Sequence, residues 1–297
     1  MNSIRPYTSV IQPLSLLTCA ILYSLGAGIV DYQEQTVDFR TFVLGLSWII
    51  LIQLSMTFMS GYFQGYQKQL SSGVNELFLG AGDSTIRKAT RWGILTSFTG
   101  AAVVGVLLVR YQLMNLTVFL LVIIMILIVI YFSAPPFTLS RSGYGEFLLS
   151  FWSVLLIPAF GMAIQKGDNL QILSIIAAPL FCLHLAMQLA LELKSYKIFL
   201  LKPPENYFDH FGWKAGIYTH NACLIASLVF IGAGFFWGLP KFIFYIMLAL
   251  LPIGVFQFIH MVKLLAGAKP LWNLISLAAY SLFYLSTYLI SYAYWVQ

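Results

Sequence analysis

Nine apolar runs of about twenty residues follow one another along this chain, near residues 9–30, 41–63, 92–110, 113–133, 145–165, 171–198, 214–237, 241–263 and 270–295. No other feature limits its fold as much. About 20 apolar residues, at ~1.5 Å rise each, match the ~30 Å hydrocarbon core of a bilayer. Inside that core each backbone N–H and C=O needs a partner within the chain, so only helices and closed barrels cross it. Barrel strands would be ~10 residues long with alternating polarity. These runs are twice that length and do not alternate, so they predict helices. Only 9% of the residues are charged, against about 25% in a soluble domain. No long linker or low-complexity tract interrupts the runs. The expected fold class is all-α: a polytopic membrane protein with nine transmembrane helices, forming one domain over residues 1–297.

Charge sets the expected orientation. With the N-terminus in the cytoplasm, twelve of the sixteen Lys and Arg residues fall in inside segments: Arg5, Lys68, Arg87, Lys88, Arg91, Arg141, Lys194, Lys197, Lys202, Lys214, Lys263 and Lys269. Arg40, Arg110, Lys166 and Lys241 fall outside. Cytoplasmic loops carry the excess of Lys and Arg, so the N-terminus and the two longest polar connections, 64–91 and 199–213, are expected inside. Nine crossings then put the C-terminus on the opposite side, where Tyr292, Tyr294 and Trp295 suit an interfacial aromatic belt. Membrane lipids are expected partners and nucleic acid is not. Cys19, Cys182 and Cys223 lie within apolar runs without metal-ligand spacing and read as small buried hydrophobes. The opening residues carry one Arg and no small-residue cleavage site after a short apolar core, so they read as the start of the mature chain.

Two of the runs carry polar stripes. Gln53, Thr57, Ser60, Gln64 and Lys68 recur at spacings of four, three, four and four, which places them on one helix face. In the sixth run His184, Gln188, Glu192 and Ser195 recur at four, four and three, again on one face, while Lys194 and Lys197 point elsewhere. One reading makes each stripe a seam hydrogen-bonded to neighbouring helices. The other, favoured here, makes them walls of one wet cavity opening to the cytoplasm. An ionisable residue inside a membrane helix marks a functional site by default, and the chain has only ten acidic residues from which Glu192 is drawn. His184 reads as a satisfied interior histidine. The row Tyr280, Tyr284, Tyr288 and Tyr292 reads as packing and interfacial anchoring rather than a cation–π site.

The stretch from Tyr131 to Glu146, YFSAPPFTLSRSGYGE, is where a family resemblance enters. Tyr131, Ser133, Pro135, Pro136, Phe137, Gly143, Gly145 and Glu146 resemble the Tyr-Ser-x-Pro-Pro-Phe turn and Gly-x-Gly-Glu segment of the UbiA superfamily of intramembrane prenyltransferases. Pro135 and Pro136 must end the fourth helix whatever the family. Gly82, Ser84 or Thr85, Arg87 and Ala89 are similar to a second family segment, and the Arg-Pro opening and nine-helix plan also match. The resemblance implies transfer of a prenyl group from an isoprenyl diphosphate to a lipophilic, aromatic or quinone-precursor acceptor. It also implies two aspartate-rich motifs, at the ends of helices two and six, that hold Mg²⁺ against the diphosphate.

At those motifs this chain departs from the pattern. Residues 60–68 read SGYFQGYQK, so Tyr62 remains, Ser60 replaces Asn, and Gly61, Gln64 and Lys68 replace the three aspartates. In the second motif Ser195 and Phe199 stand at the two aspartates, Lys194 at the arginine, and Glu192 near the asparagine. Carrying the resemblance over, the catalytic candidates are Glu192, Tyr131 and Ser133. The substrate-binding candidates are Ser60, Tyr62, Gln64, Lys68, Arg87, Lys88, Gln188, Lys194, Ser195 and Lys197. No residue is assigned to a metal, and Mg²⁺ is the cofactor if the family chemistry is retained. Two functions stay open at this point: an active prenyltransferase, with lysines and Arg87 as point charges for diphosphate, or a catalytically silent homologue that binds a polyprenyl lipid or a membrane partner. A transporter is the weakest alternative, because no internal repeat or matched pair of broken helices is evident.

Overall fold

The computed structural model describes residues 13–33, 35–72, 81–167, 170–195 and 207–297, with the side chains of 64–72, 81–86 and 195 left aside. Among these residues the chain is helical without strands, and nine helices are long and apolar enough to cross a bilayer. The protein is an integral, multi-pass membrane protein. The helices are α1 (Pro13–Tyr32), α2 (Phe39–Ser72), α3 (Ala81–Arg110), α4 (Leu116–Ser133), α5 (Gly145–Ile164), α6 (Leu170–Ser195), the short α7 (Tyr207–Phe211), α8 (Trp213–Phe236), α9 (Lys241–Leu265) and α10 (Trp272–Val296). Two compact units divide the chain: Met1–Ala20 with Asp38–Leu139, and Ile21–Val37 with Ser140–Gln297.

In the first unit α2 packs on α3 and α4. The seam with α3 carries a buried hydroxyl pair, Ser55 Oγ to Ser97 Oγ at 2.8 Å. Small polar residues suit such a contact, because in lipid close van der Waals approach and interhelical hydrogen bonds drive association. Asp38 caps the start of α2, accepting from the Thr41 N–H at 3.0 Å and the Thr41 hydroxyl at 2.6 Å. Asn115 caps α4 through the Val118 N–H at 2.8 Å. Caps of this kind satisfy donors that the first helical turn leaves unpaired. The outer faces of α3 and α4 present Val106, Val109, Leu116, Phe119 and Ile124 to the bilayer. The fourth helix ends where the prolines require, and the Pro135–Pro136 peptide bond is cis.

In the second unit α6 is the central helix, packed against α5, α8 and α10. Helix α5 is not uniform: a π-helical turn spans Trp152–Leu156 and ends two residues before Pro158. Proline lacks an N–H and its ring crowds the carbonyl four residues back, so a widened turn there accommodates it. The connection leading into α5 is tight. Gly143 has φ +77°, and a Cβ on Gly145 would lie 2.8 Å from the Ser140 carbonyl oxygen, so the glycine spacing seen in the sequence is a steric requirement. The C-terminal end of α10 closes on the middle of α1: Trp295 Nε1 donates to Ser24 O at 3.1 Å. Tyr294 does not join the interfacial belt expected for it. It is fully buried, edge-on to Tyr32 at 5.2 Å and to Phe242 at 5.4 Å, because it lies on the inner face of α10. Tyr288 and Tyr292 stay exposed and stack at 6.3 Å.

Candidate functional site

The polar residues of the first unit gather along α2. Gln53 and Thr57 are buried, and the Thr57 hydroxyl donates to Gln53 O at 2.9 Å, so it is committed to its own helix. One turn on, Ser60 Oγ meets Ser133 Oγ at 2.8 Å, and Ser133 donates to Met56 O at 3.2 Å. Since Ser133 gives its proton to that carbonyl, Ser60 is the donor between the two hydroxyls. Two residues predicted for the site from distant stretches are thereby brought together, at the end of α4 just before the cis proline turn. Tyr131, two residues earlier, lies on another side of α4: it is exposed and packs edge-on against Phe137 at 4.9 Å. A second predicted pair also meets, with the Arg87 guanidinium 5.5 Å from the centre of the Tyr62 ring. That distance is within the range of a cation–π contact. Lys88 is exposed. The side chains of Gln64 and Lys68 fall outside the described residues.

The second unit holds a directed chain of hydrogen bonds. Ser150 Oγ donates to Glu146 O at 2.8 Å, so its contact with His184 Nδ1, also 2.8 Å, makes His184 the donor. His184 Nε2 is then the acceptor, and Gln188 Nε2 approaches it at 3.4 Å. The buried imidazole is thus a satisfied interior histidine, with the Phe283 ring edge-on at 4.7 Å. One turn beyond Gln188 on the same face, Glu192 comes within hydrogen-bonding reach of the Glu146 carboxyl group from the first turn of α5, with Asp209 of α7 close enough to act on it electrostatically. Glu146 Oε1 lies 3.5 Å from the Tyr207 N–H. Glu146 Oε2 and Glu192 Oε2 are buried and have no hydrogen-bond partner. Two bare carboxylates about 4 Å apart repel by roughly 4 kcal/mol at an effective dielectric of ~20. Two acceptors in contact therefore need something positive between them.

Lys194 takes no part in this pair. Its Nζ donates to Asn273 Oδ1 of α10 at 3.4 Å, on another face of α6, as the spacing implied. Ser195 is placed only as backbone at the end of α6, and Lys197 falls outside the described residues, as does Phe199. The two predicted faces belong to different compact units.

No protein-family model matches the sequence, and no curated protein matches it. Solved structures do. A structure of a digeranylgeranylglyceryl phosphate synthase in membranes matches with a TM-score of 0.64 at 13% identity, covering 98% of each chain. A UbiA homologue from Archaeoglobus fulgidus bound to GPP and Mg²⁺ gives 0.64 at 13% identity over 98% of this chain and 99% of that one. The same homologue bound to DMAPP and Mg²⁺ gives 0.61 at 15% identity over 96% and 99%. The fold is the UbiA fold.

Identity this low carries the UbiA architecture and no individual side chain. Among the described residues no group of three or more His, Cys, Asp and Glu is arranged to hold a metal ion. Gly61, on α2, has no ligand to offer. The divalent cation that accompanies the UbiA homologue's ligands thus finds no described donor at the position where the resemblance would place the first aspartate. Glu146, which the residue pattern marks only as part of the family match, is a functional candidate that the spacing did not single out. A signal was present: an acid directly at the head of an apolar run, in a chain with ten acids in all.

Proposed function

We propose that this protein is a membrane prenyltransferase that takes an isoprenyl diphosphate and alkylates a lipophilic, aromatic or quinone-precursor acceptor. The observation that carries the reading is the match over nearly the whole chain to UbiA-fold structures that bind DMAPP and GPP. In such a transfer the allylic C–O bond breaks and its electron pair leaves with the diphosphate. A carbon of the acceptor then supplies the pair for the new bond and releases a proton. The main task for the protein is to stabilise charge building on the leaving diphosphate. In the first unit Arg87, steadied over Tyr62, supplies fixed positive charge suited to phosphate oxygens, and Ser60 and Ser133 supply hydroxyls. In the second unit Glu192 is the acid of the α6 face. Consistent with the charge bias of the loops, the N-terminus faces the cytoplasm and the C-terminus the other side.

Purified protein in lipid nanodiscs, supplied with DMAPP or GPP and a divalent cation, should release pyrophosphate, and Glu192→Ala should abolish the release. A wild-type protein that binds the diphosphate yet never turns it over would establish the second reading, a catalytically silent homologue that binds a prenyl lipid. One observation favours that alternative, namely the replacement of the five motif aspartates by Gly61, Gln64, Lys68, Ser195 and Phe199.

A further inference from the structure

In the second unit α6 packs on α8, α8 on α9, α9 on α10 and α10 back on α6. Between these four helices lies an apolar cleft of about 210 Å³, lined by Leu183 of α6, Leu224 and Leu228 of α8, Leu250 and Gly254 of α9, and Leu282 of α10. An apolar cavity of roughly 150 Å³ already takes up benzene. Apart from Ser227, no lining side chain carries a polar oxygen or nitrogen. Ile225, Leu228 and Val255 line the cleft and are also exposed, so its mouth opens sideways to the bilayer between α8 and α9. Leu183 stands about 100° round α6 from His184, so the cleft lies off the edge that carries His184, Gln188 and Glu192.

One turn beyond the cleft, its walls carry polar atoms that no group among the described residues satisfies. Gln257 of α9, a turn on from Gly254, is 1% exposed, and neither its Oε1 nor its Nε2 has a hydrogen-bond partner. His220 of α8, a turn before Leu224, is also 1% exposed. Its Nδ1 meets Asn221 Oδ1, an acceptor only, at 3.0 Å, so Nδ1 is the donor and the unpartnered Nε2 is a bare acceptor. The two residues lie at one depth. Phe235 and Phe244, ring centres 5.4 Å apart, fix the register of the antiparallel pair α8 and α9. His220 is fifteen residues before the first and Gln257 thirteen after the second, a mismatch of ~3 Å at ~1.5 Å per residue. There is room beside them: a Cβ on Gly254 would come no nearer than 3.8 Å to Leu282.

We propose that this cleft binds an uncharged lipophile ending in a single hydroxyl, a long-chain alcohol drawn from the bilayer, with its chain against Leu224, Leu250 and Leu282. The hydroxyl donates to His220 Nε2 and accepts from Gln257 Nε2. It has one proton and two lone pairs and serves both at once, which a ketone, an ether or an alkane does not. Polar groups left unpaired in hydrocarbon are costly, so pairing them is what holds the head group. No charged side chain lines the cleft, which excludes an ionised head group. The site is separate from the prenyl-transfer reading and does not rest on it.

A diazirine-tagged dodecanol, photolysed with the full chain in nanodiscs of uncharged lipid and followed by peptide mass mapping, tests the site. Label should concentrate on the cleft stretches of α8 and α9, residues 224–231 and 247–258. Excess untagged dodecanol should suppress it. Dodecane and dodecyl methyl ether should compete roughly tenfold less well, because neither can donate to His220. Gln257→Met and His220→Leu should each weaken competition by dodecanol to a similar degree. Both put apolar groups in place of unpaired polar ones, so they should unfold no earlier than wild type, which checks their folding. Gly254→Leu, which fills the cleft, should abolish the localised label, and Ser174→Ala should leave it unchanged. The inference is overturned if the alkane and the ether compete as well as the alcohol, or if label spreads evenly over the lipid-facing helices. It is equally overturned if both polar variants bind dodecanol as wild type does; His220 and Gln257 then hold water only.

Discussion

Removing one oxygen, in Ser150→Ala, tests the directed hydrogen-bond chain of the second unit. Ser150 is fully buried; its hydroxyl accepts from His184 Nδ1 and donates to Glu146 O, both at 2.8 Å. The bond to Glu146 O is a back-bond within one helix to a carbonyl four residues away, and losing it costs little. The cost lies with His184, whose Nδ1–H is left inside the protein without an acceptor. An unsatisfied buried donor costs about 1–3 kcal/mol in soluble proteins, whereas measured hydrogen-bond couplings in membranes average ~0.6 and reach ~1.7 kcal/mol. Because Ser150 and His184 are both almost fully enclosed, the expected destabilisation is near the upper membrane value, about 1.5 kcal/mol. Reversible unfolding in bicelles measures it. The exposed Ser174, which only back-bonds to Leu170 O at 2.8 Å, is the control, and its Ala variant should stay within about 0.5 kcal/mol of wild type. In a double-mutant cycle with His184→Ala the coupling should be about 1 kcal/mol. Nitrogen NMR should show the proton on Nδ1 in wild type. A Ser150→Ala variant as stable as the Ser174 control, together with zero coupling, would refute the assigned chain.

Other expectations concern the first unit. Tyr62→Leu should weaken binding of inorganic pyrophosphate about two- to fivefold, the equivalent of ~0.5–1 kcal/mol for a cation–π contact that steadies Arg87, while Tyr62→Phe keeps the affinity; isothermal titration decides, and equal losses in both variants would rule the ring out. Asp38 is held below the usual carboxylate range by the Thr41 hydroxyl first and the Thr41 N–H second. Its stabilising effect is therefore present at neutral pH and is lost as pH falls through the folded-state value. Thr41→Ala should move the Asp38 carboxyl titration upward in carbon NMR and narrow that acid window from its low end; an unmoved midpoint would contradict the cap.

Much of the architecture could be read from residue order. Among the described residues the nine runs became nine spans, α4 stops at the prolines, and His184, Gln188 and Glu192 of the second stripe follow one edge of α6. Lys194 points off that edge, as expected. Other features were hidden. The π-helical turn in α5 leaves no period-based signature beyond the proline that follows it. Tyr294 sits in an aromatic-rich terminal helix whose inner and outer tyrosines look alike in sequence, yet one is buried and Tyr292 beside it is exposed.

The division has a physical basis. Hydrocarbon forces each segment to satisfy its own backbone, so the number, length and limits of the helices are local properties, written in runs of apolar residues and the breakers between them. Helical periodicity likewise fixes which side chains share a face. Which neighbour that face meets is not local, because in lipid the choice turns on side-chain packing and a few interhelical hydrogen bonds rather than on burial of apolar area. Residue order therefore set Glu192 on an inner face of α6. Only the packing of α5 against α6 brought Glu146 to it and left two carboxyl oxygens facing no donor.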